Sequence, residues 1–110
     1  LEKANTAYNK RNYIDAVKWC RKAADAGHSG AITLLGKFYK CGIGVEEDYV
    51  KARLLFEKAE NMGNADATVQ LGLIYWYGDG VEENRDKARE CWLQVAHINE
   101  EAKEWLRLLK

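Results

Sequence analysis

"YKCGIGVEEDYVKARLLFEKAE" spans Tyr39–Glu60, and "YWYGDGVEENRDKARECWLQVA" spans Tyr75–Ala96, thirty-six residues further on. Extended without a gap to Ala31–Asn64 over Ala67–Glu100, the two copies agree at Ala31/Ala67, Leu35/Leu71, Gly36/Gly72, Tyr39/Tyr75, Gly42/Gly78, Gly44/Gly80, Val45/Val81, Glu46/Glu82, Glu47/Glu83, Lys51/Lys87, Ala52/Ala88 and Arg53/Arg89. Self-similarity at a period of this size marks a solenoid built from stacked units.

The shared residues have physical reasons. Ala31, Leu35 and Tyr39 recur every four residues, which puts them on one helix face. Gly36 and Gly72 sit mid-helix, where glycine costs about 1 kcal/mol relative to alanine. A second helix packed too closely for a Cβ would compensate. Gly42 and Gly78 suit the left-handed residue that stops a helix. Val45 and Val81 pin the following loop to the core, and Asp48 and Asn84 are good N-caps for the next helix. That helix carries Ala52, Leu55, Phe56 and Ala59, then Ala88, Cys91, Trp92 and Val95, at spacings of three and four. Gly63 ends the first of these helices, and the gap-free alignment gives the same role to Asn99.

A third copy lies upstream, where Tyr13–Gly30 aligns with Tyr49–Asp66. Before it, "LEKANTAYNKRN" holds the paired first helix, with Ala4, Ala7 and Tyr8 facing inward. The end, "NEEAKEWLRLLK", reads as one more helix with Trp105, Leu106 and Leu109 on its apolar face, covering the open end of the stack. The expected fold is an all-α solenoid of about seven helices. The repeats fall at about 1–30, 31–66 and 67–99, with a capping helix at 100–110. The chain opens without Met and already in helical style, so it reads as a piece of a longer protein.

Seventeen Lys and Arg balance seventeen Asp and Glu. That balance argues against a general nucleic-acid binder. No apolar run approaches bilayer length, so membrane insertion is not expected. Three cysteines, Cys20, Cys41 and Cys91, form no CxxC pair. An odd number of free thiols favours a reducing compartment such as the cytoplasm. The only histidines are His28, in an inter-repeat turn, and His97. Cys91 and His97 are six residues apart on a helix and do not face each other as nucleophile and base. Neither GxG is followed by Lys-Ser/Thr, and "DGVEEN" lacks the spacing of a calcium loop. No cofactor, metal or catalytic group is expected.

At these residues the chain resembles the Sel1-like repeat family. The pattern runs Ala, Leu-Gly, Tyr, Gly-x-Gly-Val, Asp, Lys-Ala, an aromatic pair, Lys-Ala-Ala and a closing Gly. It is matched in Ala31–Asn64 and Ala67–Glu100, and in part by "DAVKWCRKAADAG", Asp15–Gly27. The late departures, Asn84, "QVA" and Asn99, suggest that the stack closes near Ile98. The resemblance implies a right-handed superhelix, related to tetratricopeptide repeats, that binds other proteins and is not an enzyme. It also implies that the first helix of each pair lines a concave groove.

By that resemblance the groove takes Asn5, Tyr8 and Asn9 from the first repeat. The middle repeat gives Thr33, Lys37, Lys40 and Cys41, and the last gives Val69, Leu73, Trp76 and Tyr77. Exposed Trp and Tyr are enriched at interaction hot spots. An aromatic pocket at Trp76/Tyr77 beside Lys37 and Lys40 would hold a peptide with an apolar anchor and an acidic group. Two other readings fit the same residues. Leu73 and Trp76 would pack against the terminal helix through Trp105 and Leu106, or exposed stack ends would join two copies into a homodimer. A structural spacer, or a small-ligand or enzyme domain using the groove, is the functional alternative.

Overall fold

A computed structural model of the chain describes residues 12–109. The first helix expected before Tyr13, with Ala4, Asn5, Ala7, Tyr8 and Asn9, lies outside the described residues. Those residues form six α-helices: α1 (Tyr13–Asp25), α2 (Ser29–Cys41), α3 (Tyr49–Asn61), α4 (Ala65–Tyr77), α5 (Arg85–Val95) and α6 (Glu100–Leu108). Each packs chiefly on its neighbours in sequence, the arrangement of an all-α superhelical repeat stack.

The two copies of the repeated sentence build the same unit twice. In the first, α2 ends on Gly42 in the left-handed region, with φ 67°; in the second, α4 ends on Gly78, with φ 70°. The Asp48 and Asn84 side chains then cap α3 and α5, accepting hydrogen bonds from the Lys51 and Lys87 amides at 3.0 Å. Val45 and Val81 pack against the main core, as the sequence predicts.

The mid-helix glycines are packing sites. A Cβ on Gly36 would meet the Phe56 ring at 2.6 Å, and one on Gly72 would overlap the Trp92 indole nitrogen. Phe56 and Trp92 hold the same place in their repeats and are both fully buried. Close approach of the second helix therefore accounts for both glycines. The second glycine of each GxG makes a different contact. A Cβ on Gly44 would lie 2.5 Å from the Tyr13 carbonyl oxygen, and one on Gly80 would lie 2.8 Å from the Tyr49 Cβ. Each loop thus presses on the start of the second helix of the preceding repeat.

Two cores result. One runs from Val17 of α1 through Ile32, Leu35, Phe56 and Leu71 to Cys91 of α5. The other joins Val69, Leu73, Trp92 and Val95 to Ala102, Trp105 and Leu106 of α6. Helix α4 lies between them, and every residue from Ala67 to Ile74 is buried.

The role given to Asn99 is corrected. It is not a left-handed helix terminator: its φ is −132°, and no residue other than glycine has positive φ among the described residues. Asn99 caps α6, accepting a hydrogen bond from the Ala102 amide at 2.9 Å. Asn64 does the same for α4 through the Ala67 amide. The gap-free alignment pairs Asn99 with Gly63, whereas the folded chain pairs it with Asn64. Counted from the start of the second helix, the next cap comes one residue sooner in the last unit, Arg85 to Asn99 against Tyr49 to Asn64.

Candidate functional site

The face predicted to form the groove is built by α2 and α4, with α6 beside them. Polar side chains link the first two helices. Lys37 forms an ion pair with Asp66 at 2.8 Å, Lys40 donates to the Gln70 side-chain oxygen at 3.5 Å, and Asn64 donates to the Ser29 hydroxyl at 3.3 Å. The Lys37–Asp66 pair is more than a third exposed, so it is worth at most about 1 kcal/mol. Lys40 is half-buried, and burial lowers the pKa of its ammonium. Asp79 and Glu101 oppose that shift from across the face, and neither reaches ion-pair distance.

Three of the predicted groove residues are core. Thr33 is buried, and its hydroxyl donates back to the Ser29 carbonyl at 3.0 Å. Val69 and Leu73 are buried in the cluster that α6 completes. Their side chains are not open to a partner, because the terminal helix lies over that face. Trp76 is half-buried against the same cluster, where its ring meets residues of α5. Its ring centroid lies 5.8 Å from that of Trp92, which stacks on Trp105 at 5.6 Å. The Arg85 guanidinium lies over the Trp76 ring, 4.2 Å from its centroid. Leu73, Trp76, Trp105 and Leu106 thus share one apolar cluster, with Trp92 between the rings of Trp76 and Trp105.

Lys37, Lys40 and Tyr77 keep solvent access, and Tyr77 is 59% exposed. Cys41, at the place of Tyr77 in the preceding repeat, is also exposed. Tyr8 and Asn9, with Asn5, lie outside the described residues.

Sequence reasoning misses Arg85 as the cover of Trp76. It also passes over Arg21, Lys51, Leu54 and Lys58, which line a cleft between α1 and α3. A signal for the cleft exists in the repeat. Arg21, Leu54 and Lys58 stand where the next repeat has Glu57, Glu90 and Gln94, so packing does not dictate these residues.

Burial pushes the Cys91 thiol up to about 11 and raises that of Cys20 as well, the direction that quenches a nucleophile. His97 is exposed beyond the end of α5, and His28 is exposed at the N-cap of α2. Among the described residues no group of three or more His, Cys, Asp or Glu could hold a metal ion. No helix among them is long and apolar enough to cross a membrane.

Comparison with known proteins gives a consistent picture. The Sel1 repeat family model matches residues 10–28, 29–64 and 65–96. Among solved structures, the chain is similar to c5321, a protective antigen present in uropathogenic Escherichia coli strains and described as displaying an SLR fold. The TM-score is 0.81 and the identity 32%, over 90% of this chain and 21% of that one. It is also similar to a Sel1 repeat protein from Oxalobacter formigenes, with a TM-score of 0.71 and 32% identity over 76% of this chain and 34% of that one. The chain therefore spans about a fifth and about a third of those two proteins. No curated protein sequence matches it.

Proposed function

The chain belongs to the Sel1 repeat family, and from that premise we propose that it is a non-catalytic protein–protein interaction module. The family is commonly a scaffold for protein interactions, and the fold supplies a rigid face rather than a reaction centre. The partner segment is taken on the inner face, at the end where α2 and α4 finish.

The observation that carries this reading is the exposure of Tyr77 at the end of α4, with Lys40 near the matching end of α2. Tyr77 is largely exposed although its neighbour Trp76 is packed. Lys40 is a half-buried ammonium bonded, among the described residues, to a neutral amide. An aromatic ring and an incompletely satisfied cation suit a peptide with an apolar side chain and a carboxylate. Lys37 is a weaker element because Asp66 already neutralises it.

The test is affinity capture with wild type and with a Lys40→Glu/Tyr77→Ala variant, after circular dichroism has shown equal helicity. Neither position belongs to a buried core cluster, so the variant is expected to fold. Partner capture that is lost in the folded variant supports the inner face. Equal capture by both proteins rejects it.

One observation favours self-association as a second reading. Trp19 holds the place in α1 that Leu55 holds in α3 and Cys91 in α5. Those two pack into the core, whereas Trp19 is 69% exposed. A second copy would cover it. Sedimentation analysis of wild type and Trp19→Gln decides: a dimer that the substitution dissociates supports this reading, and a wild-type monomer at high concentration rejects it.

A further inference from the structure

The cleft between α1 and α3 has an apolar floor and a cationic rim. Leu35 and Tyr39 of α2 form its base, and Leu54 and Leu55 form one wall, with Leu54 53% exposed. Arg21 enters from α1, and Lys51 and Lys58 enter from α3. The cleft measures about 310 Å³, at the small end of ligand-sized pockets, which fits one or two side chains of a peptide.

Arg21 and Lys51 are positioned by Tyr39 rather than by ion pairs with the described acids. Arg21 donates to the Tyr39 hydroxyl at 3.0 Å, and the Lys51 ammonium lies 5.3 Å from the centroid of the Tyr39 ring. Among the described residues, neither they nor Lys58 has an acidic partner within ion-pair reach. Acids do stand at both ends of the cleft. Glu46, Glu47 and Asp48 line an adjoining hollow beyond Lys51. Asp15 and Asp25 lie beyond Arg21, where Lys18 and Lys22 balance them. The positive field is therefore concentrated at Arg21 and Lys58, beside Leu54.

The next repeat is an internal control. At its equivalent junction, between α3 and α5, Leu71, Tyr75 and Lys87 repeat Leu35, Tyr39 and Lys51. Glu57, Glu90 and Gln94 replace Arg21, Leu54 and Lys58 there. The positions that build the stack are kept. Arg21, Leu54 and Lys58 are replaced by acidic or neutral polar residues, while the third cation, Lys51, is kept as Lys87. Stacking alone does not require the three that change.

We infer that the α1–α3 cleft binds a short acidic amphipathic segment of a partner protein. A leucine-like side chain rests on Leu54 and Leu55, and flanking carboxylates meet Arg21 and Lys58. This site is distinct from the inner-face site and stands whether or not that one is correct.

The test uses the N-acetylated peptide Asp-Glu-Leu-Leu-Glu-Asp, titrated into isotopically labelled protein and followed by amide chemical shifts. Shifts are expected at Tyr39, Leu54 and Leu55, and affinity is expected to fall as salt is added. Arg21→Glu/Lys58→Gln, which installs the residues of the next junction, is expected to weaken binding by about tenfold or more. Leu54→Glu, at an exposed position, is expected to do the same. Lys40→Glu/Tyr77→Ala is expected to leave the peptide-induced shifts at Leu54 and Leu55 unchanged, whatever it does to binding at the inner face. The proposal is overturned if Leu54 and Leu55 do not shift at saturating peptide. It is also overturned if the Lys40/Tyr77 variant abolishes the shifts, or if Lys-Lys-Leu-Leu-Lys-Lys produces the same ones.

Discussion

The indole nitrogen of Trp92 occupies the volume that a side chain on Gly72 would fill, and it donates a hydrogen bond to the Val69 carbonyl at 3.2 Å. Helices α4 and α5 are thereby joined by a contact that glycine alone permits. The same ring stacks on Trp105, so it also supports α6.

Gly72→Ala is therefore expected to destabilise, although alanine is the better helix former. The propensity gain is about 1 kcal/mol. Against it stands overpacking of a buried ring that is hydrogen-bonded on one side and stacked on another, a cost of roughly 1–3 kcal/mol. Gly30→Ala is the control, since it sits inside α2 and a Cβ there would have no atom within 4 Å. That change is expected to stabilise by about 0.4–1 kcal/mol. Urea denaturation of the two variants should move the midpoint in opposite directions.

Asn99 offers a test of this earlier cap. As an N-cap, its replacement by alanine should cost about 1 kcal/mol and by glycine only a few tenths. A left-handed helix terminator would behave differently, because glycine would then stabilise. Thermal melts of Asn99→Ala and Asn99→Gly distinguish the two roles.

Trp105→Ala should release α6. The ring is half-buried, so a loss of about 2 kcal/mol is expected, below the cost of removing a fully buried tryptophan. Hydrogen exchange should show lost protection in α6 while α2 and α3 keep theirs. Uniform loss across all helices would mean that α6 is part of one cooperative unit.

The three thiols should react in order of exposure: Cys41 first, Cys20 next, and Cys91 only on unfolding. Burial holds the Cys91 thiol neutral up to about pH 11, against an ordinary value of 9.0. Between those values the folded chain keeps a proton that the unfolded chain has lost. Stability is therefore undiminished below pH 9 and falls as pH rises toward 11. The fall should be shallower in Cys91→Ala, as read from urea midpoints across that range.

The turns from α2 to α3 and from α4 to α5 are legible because the sequence writes them twice, with Gly42 and Gly78 ending one helix and Asp48 and Asn84 starting the next. Gly36 and Gly72 announce close packing by being poor helix formers in mid-helix. The groove is harder to read. Val69 and Leu73 belong to a helix that is apolar on every side, so periodicity cannot say which face is free. That depends on where α6 docks, a tertiary fact carried by Trp105, Trp92 and Trp76 together. Asn99 is misplaced by a gap-free alignment because identity between copies does not guarantee equal spacing. The cleft between α1 and α3 is visible only in what the copies do not share.

The grip of Gly44 on Tyr13, repeated by Gly80 on Tyr49, bears on how such a chain can change length. Each unit carries half of a seam at its loop and the complementary half at the start of its second helix. Units exchanged by recombination, or duplicated in tandem, would meet at a joint already fitted on both sides. Growth of the array then needs no compensating substitutions, whereas altering either half of the joint would be felt in two units at once.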